Sequence, residues 1–174
     1  DTTAAWAVPG VKAIVTGDDA RGFLQGKVLR DLPVLCWDKV RYIGDRVAAV
    51  AAETPEAADE ALLLINVDYE VLPAVFDPME AMQTDAPLLH DDIAAYVGAP
   101  TEFLAPDIHN GQTRLYWTKG DLDKGFAEAD VVLEHSFSIP SRHQGYIEPF
   151  TSVIDIDDDG RIQAWCSSKA PFRA

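Results

Sequence analysis

Cysteine is scarce: Cys36 and Cys166 are the only two in 174 residues. They lie far apart and form no Cys-x-x-Cys pair, which argues against a disulfide framework. An iron–sulfur cluster needs about four cysteine ligands, so none is housed here. Two buried free thiols are the expected state. Basic residues are also few. Fourteen Lys+Arg stand against 29 Asp+Glu, for a net charge of −15. That sign repels phosphate backbones and anionic lipid, so nucleic acid is not an expected partner, and the plain consequence is solubility. Nowhere do about 18 apolar residues run together, so no membrane segment is expected. The opening Asp1-Thr2-Thr3-Ala4-Ala5-Trp6 has neither a basic nor an apolar signal region, and no initiator Met. The chain is therefore expected to be a processed or partial polypeptide. P-loop, Gly-x-Gly-x-x-Gly and Gly-x-Ser-x-Gly motifs are all missing.

What is present is enough apolar residue for a core, spread along a length that suits one medium domain and part of a second. Val11–Thr16 reads as a short buried strand, and Asp18 and Asp19 offer a cap for a helical turn through Phe23 and Leu24. Gln25 to Pro33 reads as a loop. Lys39–Ile43 and Arg46–Ala52 flank Gly44-Asp45, a hairpin signal because Gly supplies the positive φ of such turns. Thr54-Pro55-Glu56 opens a helix with a cap, a first-turn proline and a carboxylate matched to the dipole. Ala58, Ala61, Leu62 and Ile65 share its apolar face, and the helix ends near Asn66. Val67–Leu72 alternates like a strand. From Pro78 to about Thr118 the chain reads as irregular, and the domain boundary falls here. Gly120-Asp121 opens a second helix carrying Leu122, Phe126 and Ala129. Val131, Leu133, Phe137 and Ile139 alternate as a strand, with His135 in phase. Ile154 and Ile156 lead into the turn Asp158-Asp159-Gly160, and Ile162, Ala164 and Cys166 return as a hairpin.

Two constellations invite a metal reading and fail it. Asp155 to Gly160 fits the first half of a calcium loop, but the position that should carry a bidentate Glu is Cys166, and the flanks read as strands. A solvated hairpin turn accounts for it better. His90, His109, His135 and His143 are scattered without ligand spacing. His143 and Glu148 read as a structural pair, since no third ligand accompanies them.

Several segments, in order, resemble one family. Pro9-Gly10-Val11-Lys12-Ala13-Ile14-Val15-Thr16-Gly17-Asp18-Asp19 is similar to the large, molybdopterin-binding subunit of the xanthine dehydrogenase/aldehyde oxidase family. So are Val40 through Thr54, Val67 through Val75, Ala86-Pro87-Leu88-Leu89-His90, and Gly120 through Asp130. His143-Gln144-Gly145-Tyr146-Ile147-Glu148-Pro149 and the hairpin after it complete the match, which runs over nearly the whole chain.

The resemblance implies an α+β fold. Residues 1–110 are expected to form the alpha/beta hammerhead domain. Residues 111–174 are expected to be an incomplete N-terminal part of the molybdopterin-binding domain, its first helix and β-hairpin. It implies a section of an oxidoreductase that hydroxylates a heteroaromatic or aldehyde with oxygen from water. The complete protein would hold a molybdenum–pterin dinucleotide cofactor. Iron–sulfur clusters and FAD are expected on other domains or subunits, with none bound by this chain alone. The implied partners are the remaining molybdenum-domain segments and those iron–sulfur and flavin parts. No catalytic residue and no metal ligand is expected in this chain, because the family's glycine-rich segment and its base glutamate would lie beyond Ala174. The chain alone is therefore expected to be inactive. Glu148 is expected to serve a structural hydrogen bond. Where the family often carries Ser-Thr-Gln near the molybdenum, this chain has Ser167-Ser168-Lys169. Gln offers a neutral donor and acceptor, Lys only a cationic donor, so Lys169 at the cofactor would favour an anionic ligand. A solvent-facing Lys169 stays equally open. The alternative role is a non-catalytic hammerhead binding or assembly module. The expected compartment is the cytoplasm, with the periplasm as the alternative.

Overall fold

The structure is a computed structural model that describes residues 1–26, 29–98, 104–105 and 107–168. Its elements in chain order are α1 (Thr3–Trp6), β1 (Val11–Thr16), β2 (Leu24–Gln25), β3 (Leu32–Pro33), β4 (Ala48–Ala52), α2 (Pro55–Leu63) and α3 (Pro78–Ala81). A 3-10 turn (Ile93–Ala95), α4 (Leu122–Glu128), β5 (Ser152–Ile156) and β6 (Ile162–Cys166) follow. The fold is α+β with small sheets, divided into two compact units, Asp1–Thr118 and Lys119–Ala174.

In the first unit, β1 pairs antiparallel with β4, from Val11 opposite Ala52 to Thr16 opposite Ala48, with a register slip between Val11 and Ala13. The expected burial of β1 is only half met, since none of its residues is fully buried. Helix α2 starts as its sequence demands. Thr54 Oγ1 accepts from Ala57 N at 3.2 Å, Pro55 fills the first turn and Glu56 faces the helix dipole. Its inner face is Ala57, Ala58 and Ala61, with Ile65 turned inward just past its end, whereas Leu62 is exposed. The helix stops at Leu63, short of Asn66. Ala5 from α1 and Ala61 from α2, both 0 % exposed, form the core with Val8, and Val11, Ile14, Val50, Ala57 and Ile65 pack around them.

Several expected elements are absent for identifiable reasons. Gly44 does take a positive φ of 103°, but no strand forms over Lys39–Ile43, and β4 pairs with β1 instead. Isolated bonds take the place of a ladder there: the Asp45 carboxylate accepts from Arg41 N at 2.7 Å, and the Cys36 backbone N donates to the Arg46 backbone O at 2.7 Å. Ile43 is left fully exposed, at 101 %. The supposed loop over Gln25–Pro33 holds a two-pair ladder, Leu24 with Pro33 and Gln25 with Leu32. Val67–Leu72 and Val131–Ile139 alternate but find no ladder partner among the described residues, and alternation without pairing does not make a strand. Asp18 and Asp19 start consecutive turns rather than a helix. Asp19 accepts from Thr16 N at 2.8 Å and from Thr16 Oγ1 at 2.9 Å, which holds its carboxyl below the usual range.

In the second unit, Asp121 caps α4 by accepting from Lys124 N at 3.0 Å. Strands β5 and β6 form the expected hairpin, from Ser152 opposite Cys166 to Ile156 opposite Ile162.

Gly17 sits at the end of β1 under a hard steric limit. A Cβ there would lie 1.8 Å from the Cys36 carbonyl oxygen. Gly17→Ala should therefore lower the urea midpoint of the intact protein by an amount worth about 1–3 kcal/mol. Gly125→Ala, where a Cβ meets open space in α4, should leave it unchanged or raise it.

Candidate functional site

The irregular segment that follows α3 is organised by one side chain. Asn110 adopts φ 55°, the left-handed region that Asn tolerates better than most residues. That conformation turns its amide back into the loop. Oδ1 accepts from Leu89 N at 3.0 Å, while Nδ2 donates to Ala81 O at 2.9 Å and to Pro87 O at 3.0 Å. Beside it, His109 Nε2 lies 2.8 Å from Ala86 O. A carbonyl only accepts, so the proton is on Nε2. The segment around Lys39–Arg41 docks on the same loop. Lys39 Nζ donates to Leu88 O at 2.9 Å and Arg41 Nε to Leu89 O at 2.8 Å.

These bonds frame a cavity of about 410 Å³ bordered by Leu88, His90, Ile93, Ala105, Ile108 and Asn110. Its walls are chiefly apolar, and the histidine beside them is engaged. His90 Nδ1 lies 3.0 Å from the Tyr96 hydroxyl, and the rings meet edge to face at 5.5 Å. Burial, and then the nearby Arg41 charge, pull the His90 pKa below its ordinary value. Burial and Asp45 push the Cys36 thiol up, so it is not an activated nucleophile.

The sequence-predicted candidates do not come together. His90 and His109 border one cavity but are satisfied separately. His143 Nδ1 accepts from Gly145 N at 3.0 Å and its ring contacts Tyr146, so Glu148 is not its hydrogen-bond partner. His135 contacts Phe137. No three His, Cys, Asp or Glu side chains converge among the described residues. Asp157 Oδ1 accepts from Asp159 N and Arg161 N, closing the β5–β6 turn by itself. Cys36 is buried as expected, but Cys166 is exposed, because β5 and β6 are exposed on both faces. Lys169 lies outside the described residues. The Asn110 clamp is not anticipated by the sequence reading. The Asn-Gly pair is its one visible signal, since Asn before Gly is a turn marker.

In the second unit, Leu122, Phe126, Val131 and Leu133 border an apolar groove of about 310 Å³. His143, Tyr146 and Phe150 stack in series, with ring centroids 4.7 and 4.9 Å apart.

Residues 1–73 match the domain described as "Aldehyde oxidase and xanthine dehydrogenase, a/b hammerhead domain", and residues 106–174 match the "Molybdopterin cofactor-binding domain". The chain is 35 % identical over 173 residues to one of the probable xanthine dehydrogenase subunits of Bacillus subtilis, covering 99 % of this chain and 21 % of that one. It is 37 % identical over 155 residues to a probable hypoxanthine oxidase of Escherichia coli, covering 77 % and 16 %. The reconstituted CO dehydrogenase structure from Oligotropha carboxidovorans superimposes with a TM-score of 0.73 at 30 % identity, over 95 % of this chain and 21 % of that one. The chain thus spans about a fifth of the length of these proteins.

The His90 environment gives a signed pH dependence. Its folded pKa lies below the ordinary 6.5, so unfolding takes up a proton once pH falls below that value. The stability it contributes is present above about pH 6.5 and is lost as pH falls through the folded pKa. Limited proteolysis within residues 88–98 of the intact protein should accelerate on acidification, and His90→Gln should flatten that response. An identical acid response in both proteins would contradict this assignment.

Proposed function

Because the chain belongs to the xanthine dehydrogenase/aldehyde oxidase family and carries its hammerhead domain and the start of its molybdopterin-binding domain, we propose that it acts as one section of a molybdenum hydroxylase large subunit. The reaction we assign to the complete protein is hydroxylation of a heteroaromatic or aldehyde substrate with oxygen from water. A molybdenum–pterin dinucleotide, when bound, supplies the redox and oxygen-transfer chemistry. Iron–sulfur clusters and FAD on other domains or subunits carry the electrons away. The described residues do not by themselves fit that cofactor. The groove of the second unit is bordered by Leu122, Phe126, Val131 and Leu133, and its one charged side chain among the described residues is Asp121, whose carboxylate repels the phosphates of a dinucleotide. No catalytic step is therefore assigned to this chain, and alone it is inactive.

The observation that carries the reading is the apolar surface of the second unit. Val131, Leu133, Phe137, Ile139, Val153, Ile154, Ile156, Ile162 and Trp165 are all exposed, and so many large apolar side chains left outward in one small unit suit an interface. In this reading the remaining molybdenum-domain segments cover it. We assign Lys169 to the surroundings of the cofactor, where its ammonium favours an anionic ligand. The two free thiols suit the reducing cytoplasm, and no helix among the described residues is long and apolar enough to cross a membrane.

Native mass and molybdenum content, measured together on the protein from its source, test this. The sequence should run within a larger molybdenum-bearing polypeptide or assembly. A stable, metal-free species of 19.0 kDa would overturn the reading. In the same preparation Lys169→Gln should change kcat/KM, and unchanged kinetics would place Lys169 in solvent.

A further inference from the structure

We propose that Asn110 is a deamidation site gated by closure of the loop that it clamps. Three observations lead there. The first is that the fold leaves little choice of residue at either position. Residue 110 needs a side chain that tolerates φ 55° and that accepts from Leu89 N while donating to Ala81 O and Pro87 O. An amide on a short stem meets all of these requirements, whereas a carboxylate only accepts. At residue 111 a Cβ would lie 2.6 Å from the Ile108 Cβ and 2.8 Å from the Ile108 carbonyl oxygen, so only glycine fits. The structure thus selects an Asn-Gly pair, the dipeptide whose unhindered glycine nitrogen attacks the preceding amide most readily, and asparagine is already among the thermolabile residues.

The second observation is that both reacting groups are occupied while the loop is closed. Gly111 N donates to Ile108 O at 2.8 Å, which ties the nucleophile down. The Asn110 amide makes three hydrogen bonds, which have to break before it can turn toward the Gly111 nitrogen. Reaction therefore waits for local opening.

The third is that the product cannot restore the clamp. In the reaction the Gly111 nitrogen bonds to the Asn110 side-chain carbon, the carbon–nitrogen bond of the amide breaks, and ammonia leaves with the proton from Gly111. Water then opens the cyclic imide to aspartate or isoaspartate. Aspartate presents a carboxylate to the Ala81 and Pro87 carbonyl oxygens, acceptors where two donors are lost, and isoaspartate, whose former side-chain carbon is now the backbone link to Gly111, has lost the Nδ2 donors as well. Isoaspartate also adds a backbone atom beside a glycine that has no room to move. Deamidation is irreversible and removes both donors that tie residue 110 to Ala81 and Pro87, which loosens the segment after α3.

The test uses the intact protein, incubated at neutral and mildly alkaline pH in heavy-oxygen water, natively and in urea, with peptide mapping of Asn110. Label should enter residue 110 at least about tenfold more slowly in the native protein than in urea, as opening of a multiply bonded loop requires. Equal rates would overturn the gating, and no label under either condition would overturn the site itself. Asn110→Asp provides the second readout. It should make residues 81–98 markedly more susceptible to limited proteolysis at neutral pH while the β1–β4 region stays protected. Unchanged susceptibility would show that the carboxylate is tolerated and would overturn the consequence.

Discussion

The cluster of Ala5, Val8 and Ala61 is the contact on which the first unit depends. Alanine carries no flexible side chain, so α1, α2 and the β1–β4 pair approach closely at little entropic cost. The same choice limits what burial contributes, because hydrophobic stabilisation scales with apolar area and alanine has little of it. Among the described residues no large side chain is fully buried. Steric limits then matter more than hydrophobic mass. Gly17 has to remain a glycine because the Cys36 carbonyl occupies the space of its Cβ.

Where apolar burial is thin, side-chain hydrogen bonds hold the chain. Asn110 ties the end of α3 and two backbone positions of the segment after it, Lys39 and Arg41 dock on Leu88 and Leu89, and Asp19 ties the end of β1 to the turn that follows. Each such bond is worth only about 0.5–1.5 kcal/mol net. Together they shape the cavity beside Asn110, in which His90, His109 and Asn110 are each engaged in hydrogen bonds. The second unit has caps and a hairpin but no core of its own among the described residues. Its large apolar side chains remain outward, which suits a segment completed by other parts of a larger protein.

Legibility in the sequence follows the range of the interactions. The β5–β6 hairpin and helices α2 and α4 are readable because their signals are local: Thr54 and Asp121 as caps, Pro55 at the first turn, Asp158-Asp159-Gly160 between alternating runs. The Gly44-Asp45 hairpin does not form because the turn signal is real but the strand partner is remote: β4 belongs to β1, more than thirty residues earlier in the chain. Val67–Leu72 and Val131–Ile139 show the converse, periodicity without a partner. The Asn110 clamp joins residues 21 to 29 positions apart, and no local pattern announces it. The family is legible only through several segments in order, since no single motif carries the chemistry, and Lys169 falls outside the described residues.

In the proposed function the exposed faces of β5 and β6 become interior surface in the complete protein. Thiol alkylation of the intact native protein tests it most directly, with Cys36 as a buried reference and Cys166 as the reporter on β6. Both thiols should resist the reagent until the protein is denatured. Rapid alkylation of Cys166 in the native protein, with Cys36 still protected, would mean that β6 faces solvent in the complete protein and would contradict the account.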